Sequence, residues 1–188
     1  MRELAAKAGV SPATPYNLLS TKTNLLTLVV MEEFKIFRSK MKVIDDLTGL
    51  DHLLATIELL SVHYADDREF YFGFQAAAGT AGENSLGPIL MQQGRNLFRE
   101  MVALAVEEQK GEVQLDLDMI TDILLRNMRA TVEAWYVDGW SNSHFKAVFA
   151  YSARLILLPA LQGTAGERIR AELKALQAQF SEVFQHAA

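Results

Sequence analysis

Residues 2–26, RELAAKAGVSPATPYNLLSTKTNLL, read as two short helices joined by a tight turn. The opening RELAAKA favours a helix, and Gly9 follows it where a helix C-terminus favours a residue with positive φ. Val10 is expected to be buried after the turn. Ser11 is expected to be the N-cap of the second helix, with Pro12 at the first helical position, where its missing N–H costs nothing. The stretch predicts a helix, a turn and a helix at the start of the chain.

The same stretch resembles the DNA-binding domain of TetR-type, ligand-responsive transcriptional regulators. The resemblance lies in the pattern AxxAGVSxxTxYxxLxxKxxL, which begins at Ala5 and ends at Leu25. The rest of the chain is similar to that family only in length and helical character. The resemblance implies a helix-turn-helix whose second helix enters the major groove of DNA. It also implies a helical body that binds a small effector and forms a homodimer.

The resemblance implies DNA contacts from one short segment of the chain. The expected contact residues are Ser11, Pro12, Ala13, Thr14, Tyr16, Asn17 and Lys22. Ala13 and Asn17 are four residues apart and share a helix face, and an Asn side chain can pair with adenine. Tyr16 and Lys22 are better placed for phosphates, which fix the register without reading sequence. The alternative is that Tyr16 is partly core and Asn17 is merely solvated.

Two features depart from the family pattern. Pro15 lies inside the second helix and cannot donate to the Ser11 carbonyl, so a slightly distorted first turn is expected. The family also has a preceding helix, which covers the hydrophobic side of Leu4, Val10 and Leu25. The sequence begins at Met1, so that helix is missing from it. We expect either a truncated or mis-assigned start or an incomplete domain that binds DNA weakly.

Composition limits the class of protein. The 188 residues are 50% hydrophobic, enough for a real core in one or two domains, and the absence of Cys excludes disulfides and Cys-zinc sites. The sequence shows neither a signal peptide nor a transmembrane run, so a cytoplasmic protein with no membrane partner is expected. Residues 1–48 carry seven Lys or Arg and five Asp or Glu, whereas residues 49–188 carry eleven and eighteen. A mildly basic head on an acidic body fits a small DNA-reading domain on a larger one.

The remaining sequence predicts helices only, and no alternating strand pattern occurs. A connecting helix is expected from Lys22 to Asp46, within a DNA-binding domain at 1–46, followed by a body at 47–188. Body helices are expected near 51–64, from Asp66, and near 85–110, 118–139, 143–158 and 164–184. The predicted fold is all-α: a helix-turn-helix DNA-binding head followed by a helical-bundle ligand-binding and dimerisation domain.

Aromatic and Met side chains of the body are candidates for a ligand pocket. The predicted lining residues are Phe70, Phe74, Met91, Phe98, Trp135 and Tyr136. Each taken alone is more often an ordinary core residue, and only the family resemblance favours a cavity. The scarcity of buried charges predicts a neutral, apolar or aromatic effector.

No enzyme motif, cofactor motif or metal-ligand spacing occurs, so neither catalysis, a cofactor nor a metal is expected. His52 and His63 are too far apart along a helix to share a metal ion. The predicted function is a regulator, a repressor in the resembling family, that a small effector releases from a palindromic operator. Its homodimer is expected to form through the helices near 118–139 and 143–158. The alternative is a non-DNA-binding helical sensor or interaction module with a degraded head.

Overall fold

The computed structural model describes residues 2–78, 86–107 and 115–185, and the regular structure of these ranges is helical throughout. The N-terminal helices are α1 (Arg2–Lys7), α2 (Thr14–Leu19) and α3 (Lys22–Met41). The body helices are α4 (Gly49–Asp66), α5 (Arg68–Ala78), α6 (Gly87–Glu107), α7 (Leu117–Val137), α8 (Asn142–Leu157) and α9 (Gly163–Gln185). Short 3-10 turns follow α3 at Lys42–Ile44 and α8 at Leu158–Ala160. The prediction of an all-α chain is confirmed.

The turn after α1 is closed by the backbone. Gly9 has a φ of 65°, as its position predicted, and its N–H donates to the Ala6 carbonyl at 3.2 Å. The Val10 N–H reaches back to the Ala5 carbonyl at 3.0 Å, which completes a Schellman motif. The expected burial of Val10 is wrong, because its side chain is 41% exposed. The backbone bonds alone close this turn, so the Val10 side chain is not needed to fill it.

Helix α2 begins later than the sequence predicted, at Thr14 instead of Pro12. The Thr14 N–H donates to the Ser11 carbonyl at 3.0 Å in a tight turn. That bond satisfies the carbonyl that Pro15 cannot reach, because Pro15 has no N–H. Pro15 therefore sits in the first turn of the helix, where proline is tolerated. The proline moves the start of the helix and does not distort its interior.

Helix α3 links the N-terminal segment to the body. Thr21 is its N-cap, and its hydroxyl accepts a hydrogen bond from the Asn24 N–H at 3.1 Å. The α-helix ends at Met41, earlier than the expected Asp46, because the chain tightens into the 3-10 turn. Phe37 and Met41 are buried, so the C-terminal half of α3 packs on the body.

Helices α4, α6, α7 and α8 form the centre of the body, and α9 packs on α8. Asp116 and Ser141 cap α7 and α8 with their side chains. The cap of α5 is Asp67 and not Asp66, since the Phe70 N–H donates to the Asp67 carboxylate at 3.3 Å. Helix α4 starts at Gly49, two residues before the expected Asp51. The expected start of α6 at Ser85 and its expected stop at Gly111 lie outside the described residues.

Among residues 2–78, 86–107 and 115–185, no helix combines the length and the apolar character that crossing a membrane requires.

Candidate ligand cavity and N-terminal surface

Five helices enclose a partly open, mostly apolar cavity of about 130 Å³. Helix α3 contributes Val30, Glu33, Phe34 and Phe37 to its lining, and α4 contributes Leu60, His63 and Tyr64. Helix α5 contributes Phe70, Tyr71, Phe74 and Gln75. Helices α6 and α7 complete it with Leu90, Met91, Gly94, Leu97, Phe98, Leu125, Met128, Arg129 and Val132. The N-terminal segment and the cavity thus share one continuous helix, α3.

The aromatic run of α5 divides between two environments. Phe70, Tyr71 and Phe74 lie on one face of the helix and line the cavity. Phe72 lies on another face, where its ring is 4.7 Å from the Trp135 ring and the Arg68 guanidinium is 4.6 Å above it. Consecutive residues of an α-helix lie about 100° apart, which separates the two sets.

Four of the six predicted pocket residues, Phe70, Phe74, Met91 and Phe98, come together around this cavity. The other two do not line it. Trp135 is fully buried and stacks on Phe145 with ring centroids 4.4 Å apart. Tyr136 lies at the surface, 37% exposed, against Phe72. Both follow Val132 along α7, beyond the last turn that reaches the cavity, and there the helix packs on α5 and α8 instead.

A chain of hydrogen bonds runs along one wall of the cavity, from Lys40 to Glu33. Lys40 Nζ lies 2.9 Å from Nδ1 of His63, and Nε2 of His63 lies 2.8 Å from the Tyr71 hydroxyl. The Tyr71 hydroxyl donates to Oε2 of Glu33 at 2.7 Å. An ammonium group has only donors, so Nδ1 accepts and the imidazole carries its proton on Nε2. Every bond in the chain therefore points the same way, from Lys40 toward Glu33.

The charge states along this wall follow from burial. Burial lowers the pKa of His63 below 6.5, and the Lys40 ammonium lowers it further, against the opposing effect of Glu33. Burial also raises the pKa of Tyr64 to about 12. Burial and the hydrogen bond to Glu33 raise the pKa of Tyr71 far above its usual range. Near neutral pH both phenols and the imidazole are uncharged, so the charges lie at the two ends of the hydrogen-bond chain, on the Lys40 ammonium and the Glu33 carboxylate.

The sequence did not single out this polar wall. Glu33, Phe37 and Lys40 are spaced by four and three residues, so they share one face of α3. That spacing indicates that the three side chains lie together on α3, but it does not show which helix lies opposite them.

Gly94 lets α6 approach α7 beside the cavity. A Cβ atom at this position would lie 2.8 Å from Cδ2 of Leu125, which also lines the cavity. The absence of a Cβ atom at Gly94 therefore leaves room for the end of the Leu125 side chain. Glycine here shapes the cavity wall without any unusual backbone conformation.

The predicted DNA contacts of the N-terminal segment lie mostly at the surface. Ser11, Pro12, Ala13, Asn17 and Lys22 are exposed, and Thr14 is half-buried with its hydroxyl 2.8 Å from that of Ser11. The Asn17 N–H donates to the Ala13 carbonyl at 3.0 Å, which places these two residues on successive turns of one face. The Tyr16 side chain lies outside the described residues.

Comparison with protein families, with curated proteins and with solved structures yields no match to this chain. In the part of the chain that the structure describes, no three His, Cys, Asp or Glu side chains gather where they could hold a metal ion. The cavity and the exposed N-terminal segment are therefore the candidate functional sites.

Proposed function

We propose that the protein is a sequence-specific DNA-binding regulator, a TetR-type repressor that a small aromatic effector releases from a palindromic operator. The observation that carries the proposal is the position of α3. This helix begins at Lys22, directly after the segment expected to read DNA, and lines the cavity from Val30 to Phe37. An effector in the cavity can therefore act on the DNA-reading segment through a single rigid element.

The reading of DNA would rest on the exposed face at the start of α2. Ala13 and Asn17 offer a methyl group and a carboxamide to base edges in the major groove. Lys22, beside the N-terminus of α3, would contact a phosphate, which the helix dipole also favours. The division predicts that Asn17 contributes to sequence specificity and that Tyr16 and Lys22 contribute to affinity.

The effector would act by shifting the equilibrium between a DNA-bound state and a released state of the protein. Glu33 lies eleven residues beyond Lys22, about 16 Å along the helix axis. A small rotation of α3 at the cavity would be carried to its N-terminus, since an intact helix bends little over this length. Release from DNA requires the effector to bind the released state more tightly than the DNA-bound state.

The proposed regulator is a homodimer that pairs through α7 and α8. A hydrogen bond of 2.7 Å from Asn127 to Ser152 joins these helices. Exposed apolar side chains flank it, among them Ile123 at 49% and Leu155 at 51% exposure. Two-fold pairing here would place two recognition helices about 34 Å apart, for successive major grooves of a palindrome.

Selection of duplexes from a random pool tests the proposal. The 188-residue chain, and a version extended by the upstream reading frame, should enrich a palindrome with half-sites one helical turn apart. Asn17→Ala should then relax the preference at one base position of each half-site, worth about 1–3 kcal/mol. Tyr16→Phe should weaken binding to all duplexes alike. Equal, sequence-independent losses from both substitutions would contradict this division of roles.

A second candidate function is a small-molecule sensor that does not bind DNA. The exposure of Val10 favours it, because apolar surface beside the turn lacks a covering element among the described residues. Failure of both versions of the chain to enrich any duplex would select this candidate. Enrichment by the extended version alone would show that DNA binding needs residues before Met1.

A further inference from the structure

The hydrogen-bond chain along the cavity wall determines which donors and acceptors are available to a ligand. The Tyr71 hydroxyl donates its only proton to Glu33, and the single N–H of neutral His63 faces Tyr71. Lys40 fixes this direction from outside the cavity, through its bond to Nδ1 of His63. The donors of His63 and Tyr71 are therefore already used, and this hydrogen-bond chain offers a ligand acceptors only.

The strongest remaining acceptor is the carboxylate of Glu33. Its contacts with Tyr71 and His63, at 2.7 and 3.4 Å, both involve Oε2. Within the described ranges, no hydrogen bond reaches its second oxygen, Oε1. A carboxylate has about four lone-pair sites, so it has capacity for a further donor. Glu33 is 27% exposed, which leaves its charge only partly screened by water.

The walls around Glu33 are aromatic. Phe34 and Phe37 flank it on α3, and Phe70 and Phe74 face the same cavity from α5 with nearly parallel rings 6.4 Å apart. Aromatic faces attract cations as well as other rings. A ligand with a cationic donor and an aromatic body satisfies both the carboxylate and these walls.

We propose that the cavity binds a protonated arylalkylamine, whose ammonium donates to Oε1 of Glu33 while its ring packs among Phe34, Phe70 and Phe74. The inference deepens the proposed function, on which it rests, by naming the chemical class of the effector. The volume of about 130 Å³ suits a single ring with a short substituent, since an apolar cavity of about 150 Å³ holds benzene. The sequence predicted a neutral, apolar or aromatic effector, and the proposed effector differs from that prediction in its charge.

Arg129 is the competing charge on the cavity lining. It favours an anionic ligand, but its side chain is exposed and its charge is screened more than that of Glu33. No ion pair joins Arg129 to Glu33 among the described residues. The two charges therefore act separately, and probes of opposite charge distinguish them.

The test compares three probes that share one ring: benzylamine, benzyl alcohol and benzoate. Binding to the full 188-residue chain is followed by NMR titration at pH 7 without DNA, so the result does not depend on operator binding. Benzylamine should bind about tenfold more tightly than benzyl alcohol, because a charge-assisted hydrogen bond replaces a neutral one. Benzoate should bind most weakly.

Two matched variants locate the effect. Glu33→Gln keeps the shape of the side chain and should reduce the preference for benzylamine over benzyl alcohol to about twofold or less. Glu32→Gln is the control, because Glu32 is the next residue of α3, is 61% exposed and pairs with Lys35. It should retain the full preference. The comparison of probes on the unmodified chain stands even if a variant folds poorly.

Three outcomes overturn the proposal. A preference for benzoate would show that Arg129, and not Glu33, determines which ligand binds. Equal binding of all three probes would show that Glu33 does not contribute to ligand preference. Absence of binding by every probe would show that the cavity is not a site for a ligand of this kind. In each of these cases selection of a palindromic duplex remains a separate result, so failure of the ligand proposal is distinguishable from failure of the regulator proposal.

Discussion

His63 connects three helices through one imidazole ring. It lies on α4, accepts from Lys40 of α3 and donates to Tyr71 of α5. Its ring also packs against Phe37 at 5.4 Å. A proton added at Nδ1 would face the Lys40 ammonium and break the chain of hydrogen bonds at its first link. The groups around the ring therefore favour its neutral form.

This arrangement predicts a stability that depends on pH. The folded protein holds the pKa of His63 below 6.5, so the unfolded chain binds the proton more tightly. The contribution of His63 to stability is fully present above pH 6.5, and it is lost as the pH falls through the lower pKa of His63 in the folded protein. The charged or titratable neighbours are Lys40 and Glu33 on α3, Tyr64 and Asp66 on α4 and Tyr71 on α5.

Urea unfolding at several pH values measures the effect. The free energy of unfolding should fall between about pH 7 and about pH 5, above the range in which carboxylates titrate. His63→Gln cannot titrate and should show a smaller fall over the same interval. Parallel curves for the two proteins would show that other groups cause the pH dependence.

At the scale of elements, a buried arginine joins three helices of the body. Arg154 of α8 is 7% exposed and bonds Glu58 of α4 at 2.6 Å and Glu172 of α9 at 2.7 Å. Its guanidinium also donates to the Ala150 carbonyl at 3.1 Å. Burial alone would raise the pKa of Glu172, but hydrogen bonds from Arg154 and Arg168 overcome this and lower it. The network holds α9 against the rest of the body.

Arg154→Met should reduce the free energy of unfolding by about 1–3 kcal/mol. The change removes hydrogen bonds to charged partners, but both carboxylates remain accessible to water, which limits the loss. Arg168→Met is the control, since Arg168 is 43% exposed and bonds Asp51 and Glu172 at the surface. Its loss should be clearly smaller, as is usual for exposed pairs. Equal losses in the free energy of unfolding, measured with denaturant, would show that the burial of Arg154 does not make its ion pairs more stabilising than those of Arg168.

At the scale of the whole molecule, the α7–α8 surface around Asn127 and Ser152 is the predicted contact between two copies of the chain. Leu155→Glu and Ile123→Glu place a charge in that surface, and desolvating it would oppose pairing. Sedimentation velocity should give twice the chain mass of 21.0 kDa for the unmodified protein and a shift toward 21.0 kDa for these variants.

Leu104→Glu is the matched control for the dimer test. Leu104 is 47% exposed on α6, so the substitution adds the same charge at similar exposure away from Asn127 and Ser152. Its mass should remain that of the unmodified protein. A monomeric unmodified chain, or dissociation by the control as well, would contradict pairing through α7 and α8.

The sequence by itself determined the all-α class and many helix ends. Gly9, Thr21, Asp116 and Ser141 were predictable because each acts on a backbone a few residues away, through positive φ or side-chain capping. The later start of α2 was not predicted, because Pro15 and the Ser11–Thr14 turn compete over the same few residues. Local chemistry limits where a helix can end, and at α2 the prediction was wrong because two local signals conflict.

The tertiary structure alone decided which side chains meet at the cavity. Periodicity placed Phe70 and Phe74 on one face, but it gave no means of telling Trp135, which is core, from Met91, which lines the cavity. The chain of hydrogen bonds from Lys40 to Glu33 joins residues up to 38 positions apart on three helices. A helical pattern shows which face is apolar but not what lies opposite, because that depends on how whole helices pack.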